Sequence, residues 1–255
     1  MRISDYRGRK VGIVGIARSG LAAIRALQAA GATTFAFDDD APTLERAVAL
    51  GAAIGRPEDV GTLDALLLSP GIPLTHPAPH PLVRMAREAS VPIIGDIDLF
   101  AAEAGPRPIV GITGTNGKST TTALTHHLLR AAGRPALLGG NIGAAVLDLE
   151  LDQPEEVVVL ELSSFQLDLC RTLRCDVAAW LNLTPDHLDR HGSIEGYVAA
   201  KERIFRNQVT EDRAIVGIDD EISLAVAERL RAAGREVISV SVRQVPERGV
   251  GIRCV

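Results

Sequence analysis

Residues 111–120 read GITGTNGKST, a glycine-rich turn closed by Lys118, Ser119 and Thr120 between an apolar stretch at 108–112 and a helical stretch at 119–132. Strand, turn and helix in that register predict a cradle for a triphosphate. Glycines let main-chain N–H groups converge on phosphate oxygens, and the helix that follows presents its positive N-terminus. The lysine spans phosphates, and the hydroxyl after it can ligate Mg²⁺. The usual pattern has a glycine where Ile112 stands, with Gly111 and Gly114 on either side, so the turn points to a subgroup of phosphate-loop proteins. The plainer alternative is a strand-to-helix turn carrying a surface lysine.

The rest of the chain alternates in the same manner. A first unit reads as strand 11–16, helix 19–30, strand 33–37, helix 43–50 and strand 65–68. That order predicts a parallel sheet with helices on its faces. Its first turn, GIARSG at 15–20, is like a dinucleotide-binding turn, and Asp38 ends the second strand where an acidic side chain can hold a ribose. Gly12, Gly15 and Gly20 do not make G-x-G-x-x-G, which argues against a nicotinamide site while leaving a nucleotide near Arg18, Ser19 and Asp38. Asp39 and Asp40 are expected to be a solvated turn. Ser69, Pro70 and Gly71 follow the third strand at its carboxyl end, where open α/β sheets bind ligands. Gly105, Pro106 and Pro108 mark a boundary between a domain at 1–104 and another at 105–255. The second unit continues with strand 136–138, the glycine turn 139–143, strands 157–162 and 177–183, helix 195–206, strand 214–218, helix 221–233 and strand 236–242. The fold class expected is α/β, with two doubly wound domains: Rossmann-like first, phosphate-loop ATP-binding second.

Composition narrows the function. With 46% apolar residues in 255, the chain can bury a sizeable core. A net charge of −5 and only 3% aromatic residues argue against a nucleic-acid surface. The longest apolar runs, such as 157–160 and 177–181, fall far below the roughly 18 residues a membrane span needs, so no membrane partner is expected. The opening MRISDYRGRK-VGIVGIA faintly mimics a signal peptide, but Arg18 and Arg25 interrupt it, and a cytoplasmic protein is expected. Cys170, Cys175 and Cys254 have no metal spacing and read as buried or incidental thiols.

Three further features could carry chemistry. Glu161 ends a four-residue apolar run that reads as a central parallel strand, so its carboxylate emerges at the strand's end, where Mg²⁺ shared with Ser119 would suit it. Pairing with a lysine or capping a turn is the alternative. The loop NLTPDHLDRHG at 182–192 leaves a strand end and carries His187, which could reach a metal or a phosphate, while His191 reads as a surface residue. Lys201 sits at the border of an inward face marked by Tyr197, Val198, Ile204 and Phe205 and reads, on pattern alone, as a snorkelling surface lysine.

Taken in order, GTNGKST, GGNIG, ELSSFQLD and TPDHLDRHG resemble the Mur ligase family over nearly the whole chain. The resemblance implies ATP-dependent ligation in peptidoglycan synthesis. ATP phosphorylates the carboxylate of UDP-N-acetylmuramoyl-L-alanine and, in the subgroup that ELSSFQL resembles, the amine of D-glutamate attacks the acyl phosphate. Carried over by motif, Gly114, Thr115, Asn116, Gly117, Lys118, Ser119 and Thr120 would cradle ATP, and Lys118 would stabilise the transferred phosphoryl group. Ser119 and Glu161 would hold one Mg²⁺, and His187 would help to hold a second. Lys201 matches a lysine that the family carbamylates. Asn141 and Ser163 would contact the muramoyl-alanine portion, and Arg18, Ser19, Asp38 and Gly71 the uridine diphosphate. Family members carry a third domain for the incoming amino acid, beyond the point this sequence reaches. The D-glutamate site is therefore expected outside the chain, which is expected to be part of a longer ligase. The other expectations are a truncated nucleotide-binding product without ligase activity, a ligase for another amino acid, or a nicotinamide-dependent dehydrogenase built on residues 1–104.

Overall fold

The computed structural model describes residues 3–252; Cys254 lies outside them. The first sheet holds β1 (Lys10–Val14), β2 (Thr33–Phe37), β3 (Ala53–Ile54), β4 (Ala65–Leu68) and β5 (Ile93–Ile94), with α1 (Arg18–Ala29), α2 (Ala41–Ala49) and α3 (Pro81–Glu88) between them. Its order is β3-β2-β1-β4-β5, parallel throughout. Helix α4 (Asp96–Glu103) leads to the second sheet, built of β6 (Ile109–Thr113), β7 (Ala136–Gly140), β8 (Val157–Glu161), β9 (Val177–Trp180), β10 (Arg213–Gly217), β11 (Val237–Ser241) and β12 (Gly249–Gly251). That sheet, also parallel, runs β12-β11-β10-β9-β6-β8-β7, with α5 (Lys118–Ala131), α6 (Ser164–Leu169), α7 (Leu188–His191), α8 (Ile194–Glu202) and α9 (Glu221–Ala232) in its connections.

Parallel strands are covered on both faces, which is why β4 (ALLL) and β8 (VVVLE) read as unbroken apolar runs and are buried at every position. Helix starts follow side-chain chemistry. Asp40 accepts from the Thr43 N–H at 3.0 Å to cap α2, so it is a structural cap and not merely a solvated turn. Ser163 and Gln166 form a reciprocal capping box on α6, and Asp220 accepts from the Ser223 N–H at 2.7 Å on α9.

One buried cluster joins the two sheets. It runs from Ile13 and Leu67 through Ala23 and Leu27 of α1 and Phe100 of α4 to Leu147, Leu160 and Trp180. Polar ties reinforce the seam: Arg25 grips Asp148 with two nitrogens, the shortest contact 2.7 Å. Asp98 accepts from the Arg171 and Thr172 N–H groups, each at 2.9 Å. Cys170 and Cys175 are buried free thiols, and burial pushes the Cys170 thiol up to about 12, so it is chemically quiet.

The elements expected from sequence are present, with ends displaced by a few residues. Strand β9 stops at Trp180, and the helix expected at 195–206 ends at Glu202 and passes into a 3₁₀ turn, Arg203–Phe205. Short elements were not anticipated: β3, β5, α3, α4, α6, α7 and β12. No helix among the described residues is long and apolar enough to cross a membrane.

Candidate nucleotide and metal site

The strand order of the second sheet reverses beside β6, whose neighbours are β8 and β9. Loops leaving those three strands therefore converge at one edge, the place where open α/β sheets take ligands. The loop after β9 braces the loop after β6. Asn182 accepts from the Thr115 N–H through its carbonyl at 3.0 Å and from the Asn116 N–H through its side chain at 2.9 Å, and it donates to the Asn116 carbonyl at 3.1 Å. Gly114 lies buried beneath this bridge. Helix α5 starts at Lys118 after Gly117, with no side-chain cap among the described residues, so its first N–H groups remain available for an anion. Lys118 folds back over the turn, its Nζ donating to the Thr115 carbonyl at 2.8 Å, while Ser119 and Thr120 are exposed on the first turn.

Glu161 closes β8 opposite Ile112 on one side and Gly140 on the other. Its residue is 1% exposed. Oε1 accepts from Asn141 Nδ2 at 2.6 Å, and the Glu161 carbonyl accepts from the Asn141 N–H at 2.9 Å. Oε2 is buried, and no donor among the described residues reaches it. A buried carboxylate oxygen without a partner is costly unless a cation supplies one. The donor set fits Mg²⁺, a hard ion that takes oxygen ligands. Among the described residues no group of three or more His, Cys, Asp or Glu side chains gathers as a metal site.

Lys201 departs from its surface reading. It is 1% exposed, with Nζ donating to the Gly114 carbonyl at 2.8 Å and to Thr113 Oγ1 at 3.4 Å. Nζ lies 4.8 Å from the Tyr197 ring centre. Lys201 follows the buried Tyr197 by four residues, so the inward face of α8 carries the lysine with it against the end of β6. Burial lowers its pKa to about 7, helped by the Lys118 charge and opposed by Asp186 and Glu161. The charges of Lys118 and Glu161 thus both bear on Lys201. A largely buried, readily neutralised amine can act as a nucleophile.

His187 stands at the rim with its side chain 48% exposed and Nε2 3.5 Å from Asp186 Oδ2. His191, expected at the surface, is buried between Phe165 and Tyr197, with ring centres 5.6 and 5.3 Å away, and Nε2 lies 3.0 Å from Ser164 Oγ. The short α7 turns it inward, which a loop reading could not reveal. Burial lowers its pKa to about 4 from 6.5. The folded state therefore resists the proton that the unfolded chain takes up below 6.5, and stability should fall as pH drops from about 6.5 to 4, by on the order of 3 kcal/mol. Denaturation midpoints measured across that window should lose this part of their slope in His191→Gln; an unchanged slope would assign the acid sensitivity elsewhere.

The residues expected to hold uridine diphosphate separate into two groups. A cavity of about 580 Å³ opens at the carboxyl ends of the first sheet, lined by Val14, Gly15, Phe37, Asp38, Ile72 and His80 among others. Asp38 shapes it by accepting from the Ile16 N–H at 2.7 Å and the Asp40 N–H at 3.0 Å. Gly71 lies in the uncrowded turn beyond β4. Ser19 instead lies by the buried Asp96, whose carboxyl is pushed up to about 6 by burial, an effect that Ser19 opposes. Arg18 reaches the second sheet, donating to the carbonyls of Gly140 at 2.9 Å, Asn141 at 2.8 Å and Gly143 at 3.0 Å. Ser163 is occupied as the α6 cap. Sequence reading missed Asn182, although an amide at a strand end beside a phosphate loop is a usable signal. It also missed Tyr197, whose hydroxyl lies 3.3 Å from Thr115 Oγ1, and Arg190, whose guanidinium donates to the Ile72 carbonyl at 3.0 Å.

The chain is similar to known proteins. The Mur ligase middle domain family matches residues 112–248, more than half of the chain. Curated relatives include a UDP-N-acetylmuramoylalanine--D-glutamate ligase of Chelativorans sp. (strain BNC1), 48% identical over 96% of this chain and 53% of its own length. A protein of the same name from Phenylobacterium zucineum (strain HLK1) is 48% identical over 97% of this chain and 55% of its own length. The chain thus spans about half the length of the curated relatives it matches. A solved structure, the UDP-N-acetylmuramate:L-alanyl-gamma-D-glutamyl-meso-diaminopimelate ligase from Neisseria meningitides, has a TM-score of 0.61 at 17% identity, covering 95% of this chain and 82% of that one, a likeness of fold alone. With the family model covering more than half of the chain and curated relatives at 48% identity over nearly all of it, the chain belongs to the Mur ligase family.

Proposed function

We propose that the protein is a cytoplasmic, ADP-forming ligase that adds D-glutamate to UDP-N-acetylmuramoyl-L-alanine at the expense of ATP, a step of peptidoglycan synthesis. The observation that carries this reading is the unpartnered Glu161 oxygen at the strand end beside the glycine-rich turn, with the charges of Glu161 and Lys118 both bearing on the buried Lys201. The names of the relatives supply the amino acid and the sugar nucleotide. Residues 1–104 would form a Rossmann-like domain for the UDP-sugar, and residues 105–255 a P-loop domain for ATP. The D-glutamate site would lie in the part of the relatives' length that this chain does not span.

In this reading the 114–120 turn binds the phosphates through its N–H groups, and Lys118 swings from the Thr115 carbonyl onto the transferred phosphoryl group, whose charge it offsets in the transition state. Ser119, Glu161, His187 and Lys201 would hold two Mg²⁺, which when bound neutralise phosphate charge. The neutral Lys201 amine would attack CO₂, forming an N–C bond and losing a proton to solvent, so a buried cation becomes an anionic oxygen donor. Asn141 and Ser163 would orient the muramoyl-alanine carboxylate for attack on the γ-phosphorus. Asp38, Gly71, Ser19 and the main chain at Arg18 would take the uridine diphosphate over the first-sheet cavity.

Phosphate release should need both UDP-N-acetylmuramoyl-L-alanine and D-glutamate. Equal turnover with a different amino acid would move the protein elsewhere in the family, and no nucleotide binding by calorimetry would remove the reading altogether.

A further inference from the structure

The loop at 140–143 brackets Glu161. Asn141 holds it by main chain and side chain, and Gly140, at φ +100°, lies so close that a Cβ there would strike the Glu161 carbonyl oxygen. These bonds account for the inner side of the loop. Its outer side turns three carbonyls toward one side chain, and that side chain comes from the other sheet: Arg18 Nη2 donates to Gly140 and Asn141, and Nη1 to Gly143. Arg18 has no carboxylate within ion-pair distance among the described residues, so this guanidinium is spent on orienting the loop and not on neutralising an acid. Arg18 opens α1 immediately beyond the turn from β1, which fixes its place relative to the first-sheet cavity.

We propose that Arg18 is a positioning residue for the metal-binding carboxylate: by clamping the 140–143 loop from the first sheet, it holds Asn141 on Glu161 Oε1 and keeps Oε2 directed at the cation. This rests on the reading of Glu161 as a metal ligand. It means that the geometry of the ion on the second sheet is set in part by a residue of the first, and that a displacement at the start of α1 is transmitted through three carbonyls to the carboxylate.

The test is Mn²⁺ affinity of the intact protein with a non-hydrolysable ATP analogue, read by electron paramagnetic resonance of free Mn²⁺. Partners that orient a metal ligand from behind are worth about 10- to 100-fold in affinity. Arg18→Ala should therefore weaken Mn²⁺ binding by about tenfold or more, with Arg18→Lys in between. Asn141→Ala should weaken it similarly, and the double variant should be no weaker than Asn141→Ala alone, because Arg18 acts through that residue. Arg25→Ala, which breaks the neighbouring tie to Asp148 from the same helix, should leave Mn²⁺ affinity unchanged. Parental affinity in Arg18→Ala, losses that add in the double variant, or an equal loss in Arg25→Ala would each overturn the proposal. Failure of the parent protein itself to bind Mn²⁺ with the nucleotide would instead overturn the underlying reading of Glu161, and the clamp with it.

Discussion

Phosphate release by the Lys201→Ala protein should fall by a factor of at least about 10²–10³, the scale of removing one preorganised charge-stabilising group. The alternative, an inert core lysine, predicts turnover close to that of the parent once folding is matched. Lys201 should also register in pH. Its folded-state pKa near 7 against an ordinary 10.5 means that below about 7 the buried site holds a charge it disfavours. Between 7 and 10.5 the folded protein binds fewer protons than the unfolded chain, so stability contributed by this position rises with pH through that window. In CO₂-free buffer Lys201→Met should thus be more stable than the parent at pH 6, by on the order of 4 kcal/mol, with the gap closing toward pH 10. Denaturant midpoints at several pH values decide the matter; a constant gap would mean that the amine is not desolvated as the geometry requires. With ¹³CO₂ present, a carbamate carbon resonance should grow as pH rises through 7 and be absent from Lys201→Met.

Gly140→Ala should be the most damaging single-methyl change at the site. The position combines φ +100° with contact against the Glu161 carbonyl, so the new Cβ adds backbone strain and forces two strand ends apart. The expected cost is about 2–5 kcal/mol. Gly133→Ala provides the contrast: φ is +75° there, but nothing lies near the new methyl, and about 1 kcal/mol is expected from the backbone alone. Urea titration of both variants measures the difference. Equal costs would show that the loop yields freely, in which case it could not hold Glu161 in place.

Much of this architecture was legible because its physics is local. VVVL and ALLL declare central parallel strands, since a strand covered on both faces has no reason to alternate. The glycine-rich turn between β6 and α5 reads from its own letters, and the place of Glu161 at the end of β8 from the apolar run before it. Two-residue strands such as β5 carry too few letters for a period, and α6 has only six residues behind its capping box. Lys201 stands four residues after the inward Tyr197, but a charged head at an apolar face reads by default as solvated, and its acceptors at Thr113 and Gly114 lie far away in sequence. Arg18 shows the other limit. Its acceptors lie more than a hundred positions away, and nothing near residue 18 announces them.

Because α1 and α4 share one apolar seam with Leu147, Leu160 and Leu167, one face of the first sheet is closed in part by residues of the second. A nascent chain paused after residue 104 would offer Leu27 and Phe100 to water and to chaperones. It would close only when the ribosome had released the segment through Leu167. Protease sensitivity of arrested chains should accordingly drop late, in one step, and not at the exit of the first sheet.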